Sequence, residues 1–385
     1  MKLLRSFVRH YQWTNSKYKS LITSGSSGLK ESAAAALSSV PPNVALNSLQ
    51  PLRNEPLLKL VTSNFPPIQF AFGYGSGVLK QSGYLPGEEQ PQIDLMFAIE
   101  EGSGGLNWHA ENLLRNDGHY SGLKYFGGSK TISYVQKLGA GIYFNPLIPV
   151  EHDGARQLIK YGVVSKEDAL RDLCEWSNLY LAGRLQKPVN VILDEGKETN
   201  PSMTLATEYN LQSALHLATL LLHSEGRASF STSSLFETIT SLSYLGDFRM
   251  IIGGENPNKI KNIVSKQIDR FEGLYEPYLE RLYEGKVIER VGDQKRSIRL
   301  QEQDVHDAVE SLPLNFRTHF YKFHDNNDNS GFADSTALRK SLLKTVKTIV
   351  RYPSIIQLMK GSLTAGVTKS VKYAWEKKKK NLKRS

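Results

Sequence analysis

Five short apolar runs in the first half of the chain read as β-strands: Ile68–Phe72, Ile93–Ile99, Gly141–Ile148, Ile159–Val164 and Val189–Leu193. Each is rich in β-branched or aromatic residues and bounded by turn formers. Helical patterns fall between them, at Leu106–Leu114 and Lys166–Leu181. This alternation predicts an α/β domain built on a mixed sheet over residues 46–200. From Asn200-Pro201 the pattern changes. Met203 to His223 is too dense in leucine for an exposed helix, and Ser233–Tyr244 and Ile260–Tyr278 continue at helical spacing. Residues 201–320 therefore read as a second, mainly helical domain, and residues 321–385 as a C-terminal region.

Two features of that last region stand out. Asp325-Asn-Asn-Asp-Asn-Ser-Gly331 looks superficially like a calcium loop, but Ser335 or Thr336 falls where an EF-hand needs glutamate, so it reads as a polar loop. From Pro353 onward, Ile355, Met359, Leu363, Val367, Val371 and Trp375 recur every fourth residue among lysines. A helix with that stripe suits the surface of an anionic bilayer, lysines at the headgroups and Trp375 at the boundary. The competing reading is a helix docked on the protein body, followed by a solvated lysine tail.

Composition refines this picture. A hydrophobic fraction of 40% and a mean hydropathy of −0.37 over 385 residues provide ample core for a globular protein. The single cysteine, Cys174, excludes an intramolecular disulfide and reads as a buried thiol in a helical pattern. The net charge of +10 is concentrated at the ends. Residues 1–30 contribute +6 with no acid and residues 369–385 contribute +7; taking both from +10 leaves −3 for the body. A slightly acidic body argues against a nucleic-acid partner. Residues 1–45, basic, serine-rich and then low in complexity, resemble a mitochondrial targeting segment and linker. No apolar run reaches the roughly 18 residues of a spanning helix.

The chemistry concentrates in one place. Phe70-Ala-Phe-Gly-Tyr-Gly-Ser-Gly77 reads as a strand and glycine turn, and Ile93-Asp-Leu-Met-Phe-Ala-Ile99 as a strand with one carboxylate in an apolar run. Such a turn offers backbone N–H groups and a hydroxyl to phosphate oxygens, and a buried acid needs a cationic partner or a metal. Together they are the layout by which nucleotidyltransferases hold a nucleoside triphosphate with Mg²⁺.

Further blocks follow in a set order: Trp108-His109, Asn112, Asn116, His119-Tyr-Ser121, Lys160-Tyr-Gly-Val163, Ala182-Gly-Arg-Leu-Gln-Lys-Pro-Val189 and Ser243-Tyr-Leu-Gly-Asp-Phe-Arg-Met250. With Gly73-Tyr-Gly-Ser-Gly77 and Ile93-Asp94, they make residues 60–375 resemble the mitochondrial phosphatidate cytidylyltransferases, also called translocator assembly and maintenance proteins. The resemblance implies a Mg²⁺-dependent enzyme on the matrix side of the mitochondrial inner membrane, peripheral to it. It would make CDP-diacylglycerol from CTP and phosphatidic acid for phosphatidylglycerol and cardiolipin synthesis. It also implies a nucleotidyltransferase-like first domain, a winged-helix-like second domain, and contact with anionic inner-membrane lipids through residues 353–385. A scaffold for the inner-membrane protein translocator is the alternative, but it leaves the glycine turn and Asp94 without a task.

On that reading Gly75, Ser76 and Gly77 cradle the triphosphate and Asp94 binds Mg²⁺. A second acid two residues on is expected, but position 96 is Met96. Glu100 and Asp247 compete for the role, although Glu100 lies about 20 Å along a regular strand. His109 and His119 either approach a substrate phosphate or belong to a polar helix face tied into the fold. Lys130, Lys160, Arg184 and Arg249 are candidate phosphate neutralisers.

Overall fold

The computed structural model describes residues 55–79, 92–100, 107–152, 155–194, 202–227, 229–253, 255–284, 287–291, 295–298, 300–324 and 332–365. The expected targeting segment, the Asp325–Gly331 loop and residues 366–385 lie outside them.

Helix α1 (Glu55–Asn64) leads into β1 (Phe70–Tyr74) and, past the glycine turn, β2 (Ile93–Ile99). Helices α2 (Trp108–Arg115) and α3 (Gly128–Lys137) precede the long hairpin β3 (Ile142–His152) and β4 (Ala155–Ser165). Helix α4 (Lys166–Glu175), the single turn α5 (Ala182–Leu185) and β5 (Asn190–Asp194) follow. The strands form one sheet in the order β3-β4-β2-β1-β5. Only β2 and β4 run parallel; the other neighbours are antiparallel. The mixed sheet is thus as the alternating pattern predicts.

Side chains alternate across a strand, and the register therefore fixes what each face carries. Tyr74, Asp94 and Lys160 stand side by side on one face, with Phe72, Met96 and Gly162 in the next row. The opposite face carries Leu95 beside Tyr161 and Phe97 beside Val163. There α2 and α3 cover the sheet through a buried polar cluster. His109 is hydrogen-bonded to the Tyr120 hydroxyl at 2.8 Å and to the Gln136 side chain. Asn112 Nδ2 donates to the Tyr120 and Tyr161 hydroxyls, and His119 meets Tyr161 at 3.0 Å.

The helical half begins with α6 (Ser202–His223), whose dense leucines, among them Leu211, Leu215, Leu217 and Leu220, are fully buried. It is followed by β6 (Phe230–Ser231), α7 (Thr232–Ser241), α8 (Phe248–Ile251), α9 (Lys259–Lys266) and α10 (Ile268–Glu284). Strands β7 (Ile288–Arg290) and β8 (Lys295–Ile298) join β6 in a small antiparallel sheet, ordered β6-β8-β7. Helices α11 (Glu302–Glu310), α12 (Leu314–His324) and α13 (Ser335–Ala365) complete the described chain. One apolar cluster continues from Phe70 and Phe72 of the sheet through α6 to Phe236, Phe271 and Val346, so residue 200 does not divide two cores.

Two elements differ from expectation. The helix expected over Lys166–Leu181 stops at Glu175, and Trp176 takes a left-handed conformation. Asp172 is the cause. Its buried carboxylate accepts the backbone N–H groups of Asn178, Leu179, Leu181 and Ala182 at 2.8–2.9 Å, drawing the chain into a loop. The second correction concerns Pro353, which lies inside α13 and does not begin the C-terminal helix. Residues 353–365 are docked on the body. Gln357 Nε2 donates to the Ile142 carbonyl, and the buried Lys360 ammonium to the carbonyls of Gln136 and Leu138 at 3.0 and 2.8 Å.

Lys360→Met leaves those two carbonyls without their donor, and we expect a loss of about 2 kcal/mol or more in urea unfolding. Burial lowers the pKa of His109 to about 4, against the opposing Gln136 hydrogen bond, and burial lowers His119 and His216 to about 4 as well. The unfolded chain, with histidines near 6.5, therefore takes up these protons first as pH falls. Stability is full above about 6.5 and drains away towards 4. The urea midpoint should fall over that window, and less steeply in His109→Gln, which cannot titrate.

Candidate active site

The glycine turn is shaped by close packing. Gly75 has φ +76°, and its carbonyl accepts from the N–H groups of Val78 and Leu79, closing a tight turn after Tyr74. A Cβ on Gly77 would stand 2.2 Å from the Gln92 carbonyl oxygen, so any side chain would push the turn off the start of β2. Ser76 is exposed at its tip. Asp94 faces this turn: its Oδ2 lies 3.6 Å from where a Gly75 Cβ would sit. On its other side the Lys160 ammonium is 3.5 Å from Oδ1, and both side chains are about 30% exposed, within reach of a ligand.

Aromatic rings wall in the cations. Lys160 Nζ lies 4.7 Å from the Phe144 ring centre, and the Arg184 guanidinium 4.1 Å from Tyr180 and 5.2 Å from Tyr74. Burial alone would lower the Lys160 pKa, but the surrounding Tyr74, Asp94 and Tyr180 outweigh it and raise the value. Burial likewise opposes ionisation of Tyr180, yet the charges of Arg184, Arg249 and Lys160 hold its pKa below normal. These three cations come from three separate elements, and Arg184 lies directly against the Tyr180 ring. Arg249 comes from α8, where it forms a two-pronged pair with Asp247 at 2.7 and 3.2 Å.

Gly75, Ser76, Gly77, Asp94 and Lys160 are therefore brought together, with Arg184 and Arg249 nearby. The remaining expected residues are not. His109 and His119 lie across the sheet from Asp94, in the polar cluster that fastens α2 and α3, which is the structural reading of that helix face. Lys130 is exposed on α3, over the same opposite face. Glu100 is exposed just past the far end of β2, and the strand between is regular, so it shares no ion with Asp94. Asp247 is buried; it caps α8 through the Arg249 N–H and gives both oxygens to Arg249. Among the described residues no three His, Cys, Asp or Glu side chains gather in a metal cluster.

Sequence reasoning missed the aromatic walls and Asp172. Tyr180 and Arg184 are four apart, the spacing that lets them touch on a helical turn, and this was their one available signal. Asp172 resembles any helical surface acid until its loop is seen.

A sequence model of the family described as "Phosphatidate cytidylyltransferase, mitochondrial" matches residues 58–380. Proteins of that name are similar over most of their length. The Saccharomyces cerevisiae protein is 36% identical over 350 residues, 90% of this chain and 76% of its own. That of Mus musculus is 36% identical, covering 83% and 93%, and that of Dictyostelium discoideum 33%, covering 85% and 84%. Together with the glycine turn set against Asp94 and Lys160, these matches show that the chain belongs to the mitochondrial phosphatidate cytidylyltransferase family.

Proposed function

We propose that this protein catalyses the reaction of CTP with phosphatidic acid to give CDP-diacylglycerol and pyrophosphate. The carrying observation is the pairing of Asp94 with Lys160 beneath the glycine turn, in a chain of this family. Phosphatidic acid ends in a phosphate monoester with a second pKa of about 6, so at neutral pH it is already a nucleophilic dianion. One of its oxygens bonds to the α-phosphorus of CTP as the α–β bridging bond breaks and pyrophosphate leaves. No base is needed. The barrier is repulsion between two anions, and the catalytic task is to position and neutralise them.

Lys160 and Arg184 are the neutralising groups at the Asp94 site, with Arg249 contributed by α8. The Gly75–Gly77 turn offers backbone N–H groups and the Ser76 hydroxyl to the triphosphate. Asp94 fits a magnesium site of one carboxylate completed by substrate phosphates, a common arrangement for this ion. When bound, the ion would supply further neutralisation of the triphosphate. The same reading makes the five-stranded sheet nucleotidyltransferase-like. Helices α6–α10 with the small β6-β8-β7 sheet support a winged-helix-like second unit.

The expected location is the matrix side of the mitochondrial inner membrane. The relatives are named mitochondrial, and no helix among the described residues is long and apolar enough to cross a membrane. Docking of residues 353–365 narrows the proposed lipid contact to the exposed Met359 and Leu363 and to the lysine-rich residues 366–385.

The purified full chain, given CTP, short-chain phosphatidic acid and Mg²⁺, should form CDP-diacylglycerol and pyrophosphate in equal amounts. Asp94→Ala should lower turnover by roughly 100-fold or more without changing the thermal melt, as loss of even an outer-shell metal partner costs about 10–100-fold. Full turnover in that variant would remove Asp94 from the site. Deleting residues 366–385 takes away eight basic side chains and one acid. Each basic group near an anionic surface contributes about 1 kcal/mol, so the truncated protein should no longer sediment with cardiolipin-containing vesicles. Unchanged sedimentation would place the lipid contact elsewhere.

A further inference from the structure

A second group of cations lies around Tyr244. Lys187 follows α5, and its ammonium donates to the Gly183 carbonyl and to the Ser243 hydroxyl at 3.0 Å. The seam is tight: a Cβ on Gly183 would stand 2.2 Å from the Ser243 Cβ. Lys187 and Lys259 both approach the Tyr244 ring, at 5.4 and 5.3 Å from its centre. Arg249 stands beside them, tied to Asp247 and, at 3.7 Å, to Glu255.

The balance of charge in this group is uneven. Asp247 is committed to Arg249, and Glu255 pairs with Lys259 at 2.7 Å. Lys187 has only neutral oxygens as partners among the described residues. Burial, with the charges of Arg184 and Lys259, pulls its pKa down to about 7. A half-buried ammonium beside two further cations is costly in isolation and is stabilised by an incoming anion. With both local carboxylates occupied by Arg249 and Lys259, the group is built for an anion taken without a metal. The surface next to it is apolar: Ile251 and Ile252, just beyond Arg249 on α8, are 62% and 58% exposed.

We infer that Lys187, Lys259 and Ser243 form the site for the phosphate monoester of the lipid substrate, with Ile251 and Ile252 as the lip along which its acyl chains lie. A dianionic headgroup joined to hydrocarbon matches a metal-free cation cluster bordered by exposed isoleucines. The triphosphate, by contrast, matches Asp94, Lys160 and the glycine turn. The inference rests on the proposed reaction and gives its two substrates separate places, one at Asp94 and one at Tyr244.

The test uses the full-length protein with CTP and dihexanoyl phosphatidic acid. Lys187→Met should raise the KM for the lipid about tenfold, the loss of one charge-assisted hydrogen bond, and leave kcat and the KM for CTP within about twofold. Lys187→Arg should restore most of the affinity, which a purely structural role would not predict. The arginine stays charged where Lys187 titrates among Arg184, Lys259 and Tyr244. The wild-type KM for the lipid should therefore rise relative to that of Lys187→Arg between pH 6.5 and 8.5. If Lys187→Met fails to fold, Lys259→Met serves with the same expected split. A rise in the KM for CTP instead, or no change in either constant, would overturn the assignment. Calorimetric binding of dihexanoyl phosphatidic acid without CTP separates the two claims. Binding that is lost in Lys187→Met while the wild type makes no CDP-diacylglycerol would sink the reaction and keep the site; turnover with unaltered lipid binding would do the reverse.

Discussion

Asp94 and Lys160 occupy matched positions on adjacent parallel strands, and most of what surrounds them follows from that pairing. An acid in the middle of a sheet is tolerable only with a cation within a few ångströms. Lys160 supplies it, but at 3.5 Å and with both groups partly open to solvent, so the pair is not a closed salt bridge. A closed pair would leave nothing for a ligand. Here the carboxylate retains Oδ2 on the side of the glycine turn, and the ammonium leans on the Phe144 ring. Charge on this face is polarised across the strands, negative on β2 beside the turn and positive on β4.

The second constraint is the loop after α4. Arg184 lies on α5 and Lys187 just past it, and that turn begins where Asp172 gathers four backbone N–H groups. Burial raises the Asp172 pKa and the four hydrogen bonds oppose it, yet only a carboxylate could accept all four. An asparagine would turn a donor towards two of them. Fixed in this way, the loop delivers Tyr180, Arg184 and Lys187 without relying on the mobility of long side chains. The same loop is anchored in the core by Trp176, Leu179 and Leu181, all buried, so the acid and the apolar packing fix it together.

Much of this was legible in the sequence. β2 was read with its observed limits because an isolated acid in a continuous apolar run leaves little else possible, and the α6 leucines announced burial on all sides. The glycine turn was legible for a similar reason: three glycines around one serine cannot all be chosen for packing. The histidines were not. His109, Asn112 and Asn116 share one helix face, but spacing alone cannot say which side of the sheet that helix covers, and His109 turned out to meet Gln136 and Tyr120. The start of α13 was hidden because proline at 353 normally argues for a helix boundary. The tertiary contacts of Gln357 and Lys360 hold the helix through it. Lys187 sits in the Ala182–Val189 block, but nothing in that block separates it from Arg184, and a lysine among 48 basic residues acquires a role only from its neighbours in space.

The two cation groups also explain why the helical half cannot be a passive appendage. Lys160 and Arg184 come from the sheet and its following loop, whereas Lys259 and Arg249 come from α9 and α8. Tyr180 feels charge from both halves, since Arg184 and Lys160 from one and Arg249 from the other lower its pKa against burial. The contact is made rigid by backbone rather than by side-chain pairs alone: Gly246 lies so close to α13 that a Cβ would meet the Lys347 carbonyl oxygen at 2.7 Å, and the Phe248 N–H donates to Ser354. Helix α13 in turn grips the edge of the sheet through Gln357 and the end of α3 through Lys360. Helix α13 therefore ties α8 to the sheet and to the end of α3, and the elements that carry Arg249 and Lys160 are held in one arrangement by a single helix.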